Sequence, residues 1–372
     1  MPLFDLKAEQ AGFAAELRRR LDTVLAHCQF ILGPEVAELE ERLAAYCGAA
    51  HCIGVGSGTD ALLIALMAEG VGEGDAVFLP AFTYTATAEV PLLLGAQPVF
   101  VDIDPHTFQI DPAALSRRIE TVRARGKLRP RALIGVDLFG QPADWQALGA
   151  IPREAELFAL DDCAQSLGAT FHNRRLGTFG DATAISFFPT KPLGGYGDGG
   201  ALFTESADRA ALYRSLRSHG EGTTRYEVLR IGINGRLDTL QAAVLLARLG
   251  TFDAALAARE RIAAAYDRHL AGLVETPARV PHSTNVWAIY SVLLPDSAAR
   301  TRVQQALRAN GIGSNIYYPC PLHRQPAYAK HHDGSALPVS DAIAERILAL
   351  PMHANLEESD IERIATVLRA AL

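Results

Sequence analysis

Between residues 50 and 204 the sequence alternates short apolar runs with segments of helical periodicity. The runs fall at 52–55, 76–79, 97–101, 132–136, 157–160, 182–188 and 200–204. They are too short for helices and apolar through most of their length, so they read as buried strands. Helical patterns at 61–69, 85–94, 112–125 and 144–149 separate most of them. A helix between two strands is a crossover, and crossovers join parallel neighbours. The pattern therefore predicts an α/β fold, a seven-stranded and mostly parallel sheet flanked by helices. Only about a dozen residues join the last two runs, too few for a helical crossover, so the final strand is expected to run antiparallel.

Helical spacing also marks 8–28, with a basic patch at Arg18, Arg19 and Arg20, and 35–47 after the Gly33-Pro34 break. Beyond the last strand, 207–218, 237–248 and 252–269 read as helices. A smaller α+β segment follows, with strands expected at 285–294 and near 314–318. We place a boundary near 250, giving a large domain 1–250 and a small C-terminal domain 251–372.

Composition removes several classes of function. A net charge of -7 over 372 residues argues against nucleic acid as a partner. No apolar stretch approaches bilayer length, and the first residues carry no signal pattern, so no membrane partner and a cytoplasmic location are expected. The five cysteines are scattered, with no Cys-x-x-Cys pair. Neither a metal site nor a disulfide framework is expected, and Cys47 and Cys52 read as small buried apolar residues.

The residues that carry chemistry sit where strands end. Gly54-Val55-Gly56-Ser57-Gly58-Thr59-Asp60 leads from a strand into a helix. Exposed N–H groups and hydroxyls there can bind an anion, or the stretch can be a glycine turn with a capped helix. It is neither a Walker loop nor a dinucleotide fingerprint. Asp161-Asp162 follows the run at 157–160; adjacent residues point in different directions, so one acid faces a site at most. Phe82 reads as core, and Tyr84 can stack on a planar ligand. Lys191 follows the run at 182–188 and precedes a glycine-rich stretch, 194–200, that can pass close to a ligand. Alone, this lysine could be a surface charge, a phosphate binder or a nucleophile. A phosphate cradle, an aromatic plane, an acid and a lysine together suit a planar, phosphorylated, carbonyl-bearing cofactor, and pyridoxal 5'-phosphate is one.

Four motifs then carry a family resemblance. Gly-Thr-Asp-Ala-Leu at 58–62, Asp-Cys-Ala-Gln-Ser at 162–166, Ser-Phe-Phe-Pro-Thr-Lys-Pro-Leu-Gly at 186–194 and Asn-Gly-Arg-Leu-Asp-Thr-Leu-Gln-Ala-Ala at 234–243 resemble, in order, those of the DegT-type sugar aminotransferases. The likeness covers nearly the whole chain. It implies an aspartate-aminotransferase-like fold of type I, pyridoxal phosphate as cofactor and a homodimer with shared active sites. It implies Lys191 as the Schiff-base lysine and proton shuttle, and Asp162 as partner of the pyridine nitrogen. Gln165 would lie near the ring hydroxyl, Gly58, Thr59 and Ser186 would hold the phosphate, and Tyr84 would stack on the ring. Asn234 and Arg236 would reach into the partner's site, toward phosphate and substrate; from residues alone, Asn234-Gly235 is a simple turn.

Residues 30–36 and 81–89 resemble the branch that aminates C3 of nucleotide-linked 3-keto sugars, in particular the UDP-2-acetamido-2-deoxy-3-oxo-glucuronate aminotransferases. That branch often carries His-Tyr where this chain has Tyr317-Tyr318, so Tyr317 would supply the substrate with a hydroxyl in place of an imidazole. The implied reaction moves an amino group, from L-glutamate as donor, to a keto sugar nucleotide for an amino sugar of surface polysaccharide or a related glycan. Alternatives are a 4-keto-6-deoxyhexose or an eight-carbon keto sugar as acceptor, or a cofactor-bound regulator without turnover. The family's dehydratases carry histidine at the lysine position, and Lys191 argues against them.

Overall fold

The computed structural model describes residues 1–224 and 226–372. Strands β1 (His51–Val55), β2 (Asp75–Pro80), β3 (Gln97–Val101), β4 (Arg129–Val136) and β5 (Phe158–Asp162) alternate with helices. A two-residue hairpin, β6 (Thr170–Phe171) and β7 (Arg174–Arg175), precedes β8 (Ala182–Ser186) and β9 (Gly200–Thr204). The seven long strands form one sheet in the order β1-β9-β8-β5-β4-β2-β3. β2, β3, β4, β5 and β8 are mutually parallel, and β9 runs antiparallel to both its neighbours, as its short connection requires.

Both faces of the sheet are covered, which is why its strands are apolar without alternation. Val77 and Leu79 pack in one core with Ile64 and Leu66 of helix Gly58–Ala68. Ala76 and Phe78 pack in the other with Leu115 and Ile119 of helix Pro112–Arg125. Cys47 and Cys52 are buried within this second core. A third cluster gathers Tyr266, Trp287, Tyr290, Val303, Leu350 and Ile361, with the rings of Tyr266 and Tyr290 stacked at 4.6 Å.

Several expectations need correction. The helical pattern at 8–28 is two helices, Leu6–Ala11 and Ala14–His27, because the Gly12 N–H turns back onto the Glu9 and Gln10 carbonyls and ends the first. The strand read to residue 188 stops at Ser186, where the chain curls away from the sheet. The helix read at 144–149 continues as Trp145–Ala155. In the C-terminal part the strand at 285–294 shortens to β11 (Tyr290–Leu293), preceded by β10 (Ser283–Thr284) against β6. β11 pairs antiparallel with β12 (Ile347–Leu350), which the sequence reading missed. Residues 314–318 form no strand. Only Asn315 bridges to Ala349, and the two prolines that follow lack the N–H groups a ladder needs. Among the described residues no single helix is long and apolar enough to cross a membrane.

Candidate active site

The carboxyl ends of β2, β4, β5 and β8 open on one cleft, the place where open α/β sheets bind ligands. Gly58, Thr59, Tyr84, Asp162, Gln165, Ser186, Lys191, Tyr317 and Tyr318 all line it. Asn234 and Arg236 do not: their segment runs along the outer edge of β1, where Arg236 bridges to Val55 and the Gly235 carbonyl accepts the Gly56 N–H at 2.8 Å.

One end of the cleft is an anion cradle. Ser57 caps helix Gly58–Ala68, its hydroxyl accepting the Asp60 N–H at 3.0 Å while its carbonyl accepts the Ala61 N–H. The N–H groups left at this helix start are those of Gly58 and Thr59. Ser186, the last residue of β8, comes up against them: a Cβ on Gly58 would lie 2.7 Å from Ser186 Cβ. Glycine at 58 is what lets a serine hydroxyl and a helix N-terminus share one small space. A phosphate there meets N–H donors, the hydroxyls of Thr59 and Ser186 and the positive end of the helix dipole.

Lys191 enters from the loop after β8. The Phe188 carbonyl accepts the Lys191 N–H at 2.8 Å, and the Phe187 carbonyl accepts the Gly195 N–H at 2.7 Å. These bonds curl the chain and aim the lysine inward. Burial pushes its amine down to about 8, against the charge of Asp162, which holds it up. Asp162 is buried, which raises its carboxyl above the ordinary value; the Ala164 N–H, the charge of Lys191 and the Thr87 hydroxyl draw it back. Those two hydrogen bonds, 3.3 Å from Ala164 and 3.2 Å from Thr87, fix the direction in which the carboxylate points. Asp161 turns to the other face of β5. It accepts the Thr183 hydroxyl at 3.4 Å beside the buried Asp137, and burial together with the charge of Asp137 pushes it well up.

Thr87 was invisible to the sequence reading, because one hydroxyl in an apolar helix carries no pattern. Thr87→Val keeps the shape and removes the donor. Since a hydrogen bond to a charged group contributes roughly 1.5–3 kcal/mol, turnover is expected to fall about 10-fold or more with little change in melting temperature. Steady-state kinetics beside a thermal melt would check this.

Aromatic rings make the facing wall. Tyr84 is 57% exposed at the mouth, with its ring 6.3 Å from that of Tyr318. Tyr318 meets the buried Phe82 edge-on at 5.9 Å and Tyr317 at 6.0 Å. Gln165 is fixed at both ends of its amide: Oε1 accepts the Phe139 N–H at 2.7 Å, and Nε2 donates to the Tyr318 hydroxyl at 3.4 Å. Phe4, Ala288 and Ile289 also line the cleft. No motif marks them, since they arrive through tertiary packing alone.

The comparisons with known proteins agree with this geometry. The model of the DegT/DnrJ/EryC1/StrS aminotransferase family matches residues 13–369. The chain is 44% identical over 365 residues to the UDP-2-acetamido-2-deoxy-3-oxo-D-glucuronate aminotransferase of Pseudomonas aeruginosa, covering 98% of each. It is 40% identical over 376 residues to a UDP-N-acetyl-3-dehydro-alpha-D-glucosamine 3-aminotransferase of Acidithiobacillus ferrooxidans, covering all of this chain and 98% of that one. Among crystal structures, a DegT DnrJ EryC1 StrS aminotransferase from Brucella abortus superposes with a TM-score of 0.97 at 44% identity, over 100% of this chain and 99% of its own. A Bacillus subtilis protein with the cofactor PMP bound superposes with a TM-score of 0.86 at 28% identity, over 96% and 82% of the two chains. The family match spans every strand end that opens on the cleft, and this chain therefore belongs to the DegT/DnrJ/EryC1/StrS aminotransferases.

Proposed function

We propose that this aminotransferase uses pyridoxal phosphate to carry an amino group from L-glutamate to the C3 carbonyl of a nucleotide-linked 3-keto sugar, in the synthesis of an amino sugar. The observation that carries this reading is the convergence of Lys191, Asp162 and the Gly58–Ser186 cradle on one cleft. An amine, a carboxylate and an anion cradle fit the cofactor's carbonyl, ring nitrogen and phosphate. When bound, pyridoxal phosphate supplies an electron sink for the carbanion formed on losing the α proton.

The chain's own residues do the rest. Lys191 Nζ takes a proton from one carbon and returns it to another, and its lowered pKa leaves a neutral amine available near neutral pH. Asp162, oriented by Thr87 and Ala164, keeps the ring nitrogen protonated. Tyr84 would stack on the cofactor's ring, and Gln165 would serve its ring hydroxyl. In this reading the small domain, 251–372, supplies Ala288, Ile289, Tyr317 and Tyr318, which shape the sugar's side of the cleft.

Asn234 and Arg236 lie outside this chain's own cleft, and we assign them to the site of a second subunit in a homodimer. Supporting this, the same segment exposes Val228, Leu229 and Ile231 at 59%, 56% and 85%. Apolar side chains clustered that openly mark an association surface. An acidic chain whose five cysteines are all unpaired suits the cytoplasm.

The names of the Pseudomonas and Acidithiobacillus relatives both place the sugar carbonyl at C3, which favours a 3-keto acceptor over a 4-keto one. They differ in whether the sugar bears a carboxylate. A panel of keto sugar nucleotides offered to the enzyme loaded with pyridoxamine phosphate tests this. A 3-keto acceptor, acidic or neutral, is expected to restore the visible absorbance. Restoration by 4-keto sugars alone overturns the C3 assignment.

A further inference from the structure

The short helix Leu6–Ala11 carries one acid that no part of the proposed reaction uses. Glu9 is largely covered, its side chain 11% exposed, and its carboxylate joins two buried guanidinium groups. Oε2 accepts from Arg248 at 2.7 Å, and Oε1 accepts from Arg259 at 3.1 Å. Like charges this close in a buried setting repel, and the carboxylate between them is what offsets the repulsion.

Each arginine continues to a wall of the cleft. Arg248 donates to the Gly194 carbonyl at 2.8 Å and to the Pro192 carbonyl at 3.4 Å. Pro192 adjoins Lys191, so this guanidinium holds the lysine loop in addition to the loop's own bonds to the Phe187 and Phe188 carbonyls. Arg259 donates to the Trp287 carbonyl at 3.1 Å and to the Met352 carbonyl at 3.3 Å. Trp287 immediately precedes Ala288 and Ile289, which line the cleft. Glu9's own segment makes the third wall. The Met352 N–H donates to the Leu3 carbonyl at 3.1 Å, Asp5 caps the helix through the Ala8 N–H at 2.9 Å, and Phe4 between them lines the cleft.

We propose that Glu9 is a positioning residue of the active site: through Arg248 and Arg259 it holds the Lys191 loop, the Ala288–Ile289 wall and the N-terminal strap bearing Phe4 in one fixed relation, with Phe4 as part of the surface that receives the substrate. The geometry of the joint stands on its own; its consequence for turnover rests on Lys191 being the reacting lysine.

The test compares wild type with Glu9→Gln, Glu9→Asp and Phe4→Ala, all as holoenzyme, and with Glu358→Gln as a control on an exposed ion pair. In Glu9→Gln, hydrogen exchange of amides 3–8 and 191–197 is expected to accelerate at least 10-fold while β4 and β5 keep their protection. kcat falls about 10-fold, and Glu9→Asp, which restores the charge, recovers part of it. Phe4→Ala raises KM for the sugar nucleotide with kcat nearly unchanged, and Glu358→Gln behaves as wild type. Unchanged exchange at 191–197 in Glu9→Gln overturns the proposal, as does acceleration spread evenly over the whole sheet. If borohydride reduction attaches the cofactor to a residue other than Lys191 while the exchange result holds, the assignment of Lys191 fails and the joint survives.

Discussion

Lys191→Ala is expected to lower transamination by at least about 10⁴-fold, the upper range for a lost general acid–base group, and more if attachment of the cofactor fails as well. The protein should still fold, because the variant removes a buried amine and leaves the two backbone bonds that shape the loop. Borohydride reduction of the wild-type holoenzyme should fix pyridoxal phosphate to the peptide containing Lys191, as read by mass spectrometry. The neutral amine is the reactive form, so the rate at which apoenzyme captures the cofactor should rise with pH and level off above about 8. An ordinary lysine would level off some two units higher. The variant also tests the shared site. If Arg236 serves the neighbouring subunit, mixing Lys191→Ala with Arg236→Ala chains restores about a quarter of the sites, since half the dimers are mixed and each holds one intact set. No recovery despite proven subunit exchange would remove Arg236 from the partner's site.

Asp162→Asn should be the second most damaging change, lowering kcat by about 10²–10⁴-fold. The amide oxygen can still accept from Thr87 or Ala164, so side-chain placement survives. What disappears is the negative charge that keeps a ring nitrogen protonated. The loss should appear in kcat more than in cofactor retention, because the cradle at Gly58, Thr59 and Ser186, proposed to hold the phosphate, is untouched. Asp161→Asn is a useful contrast. Asp161 turns to the other face of β5 and accepts the Thr183 hydroxyl, so replacing it takes no charge out of the cleft. A kcat loss in Asp161→Asn equal to that of Asp162→Asn would undo the assignment of roles on β5.

The contrast between the two aspartates also shows what the sequence could say. Strand parity alone separates Asp161 from Asp162 without choosing between them; β5 places Asp162 in the cleft and Asp161 against Thr183. The seven long strands were legible because each is an unbroken apolar run between turn residues. Their lateral order was not, since β9 enters between β1 and β8 through pairing that no local pattern records. The cradle was legible as glycines and hydroxyls at a helix start, but its second half, Ser186 against Gly58, depends on contact between residues far apart in the chain. Phe4, Thr87 and Glu9 escaped notice for the same reason. The misread segment at 314–318 has the residue types of a strand, but it meets β12 at one bridge, Asn315 to Ala349, before Pro319 and Pro321 break the ladder.

The place of β1 has a consequence for synthesis of the chain. β1 sits at the edge of the sheet and its neighbour is β9, so the strand leading into the turn at Gly56–Thr59 has no partner in the sheet until β9 has emerged. Some 150 residues separate the two strands, roughly 7–30 s of translation at ordinary elongation rates. During that interval the nascent chain holds half a cradle. Cradle and lysine loop come into being together, when the hairpin of β8 and β9 closes on β1. A nascent chain stalled before Thr204 should therefore be unable to retain pyridoxal phosphate, which makes cofactor capture a timer for the completion of the sheet.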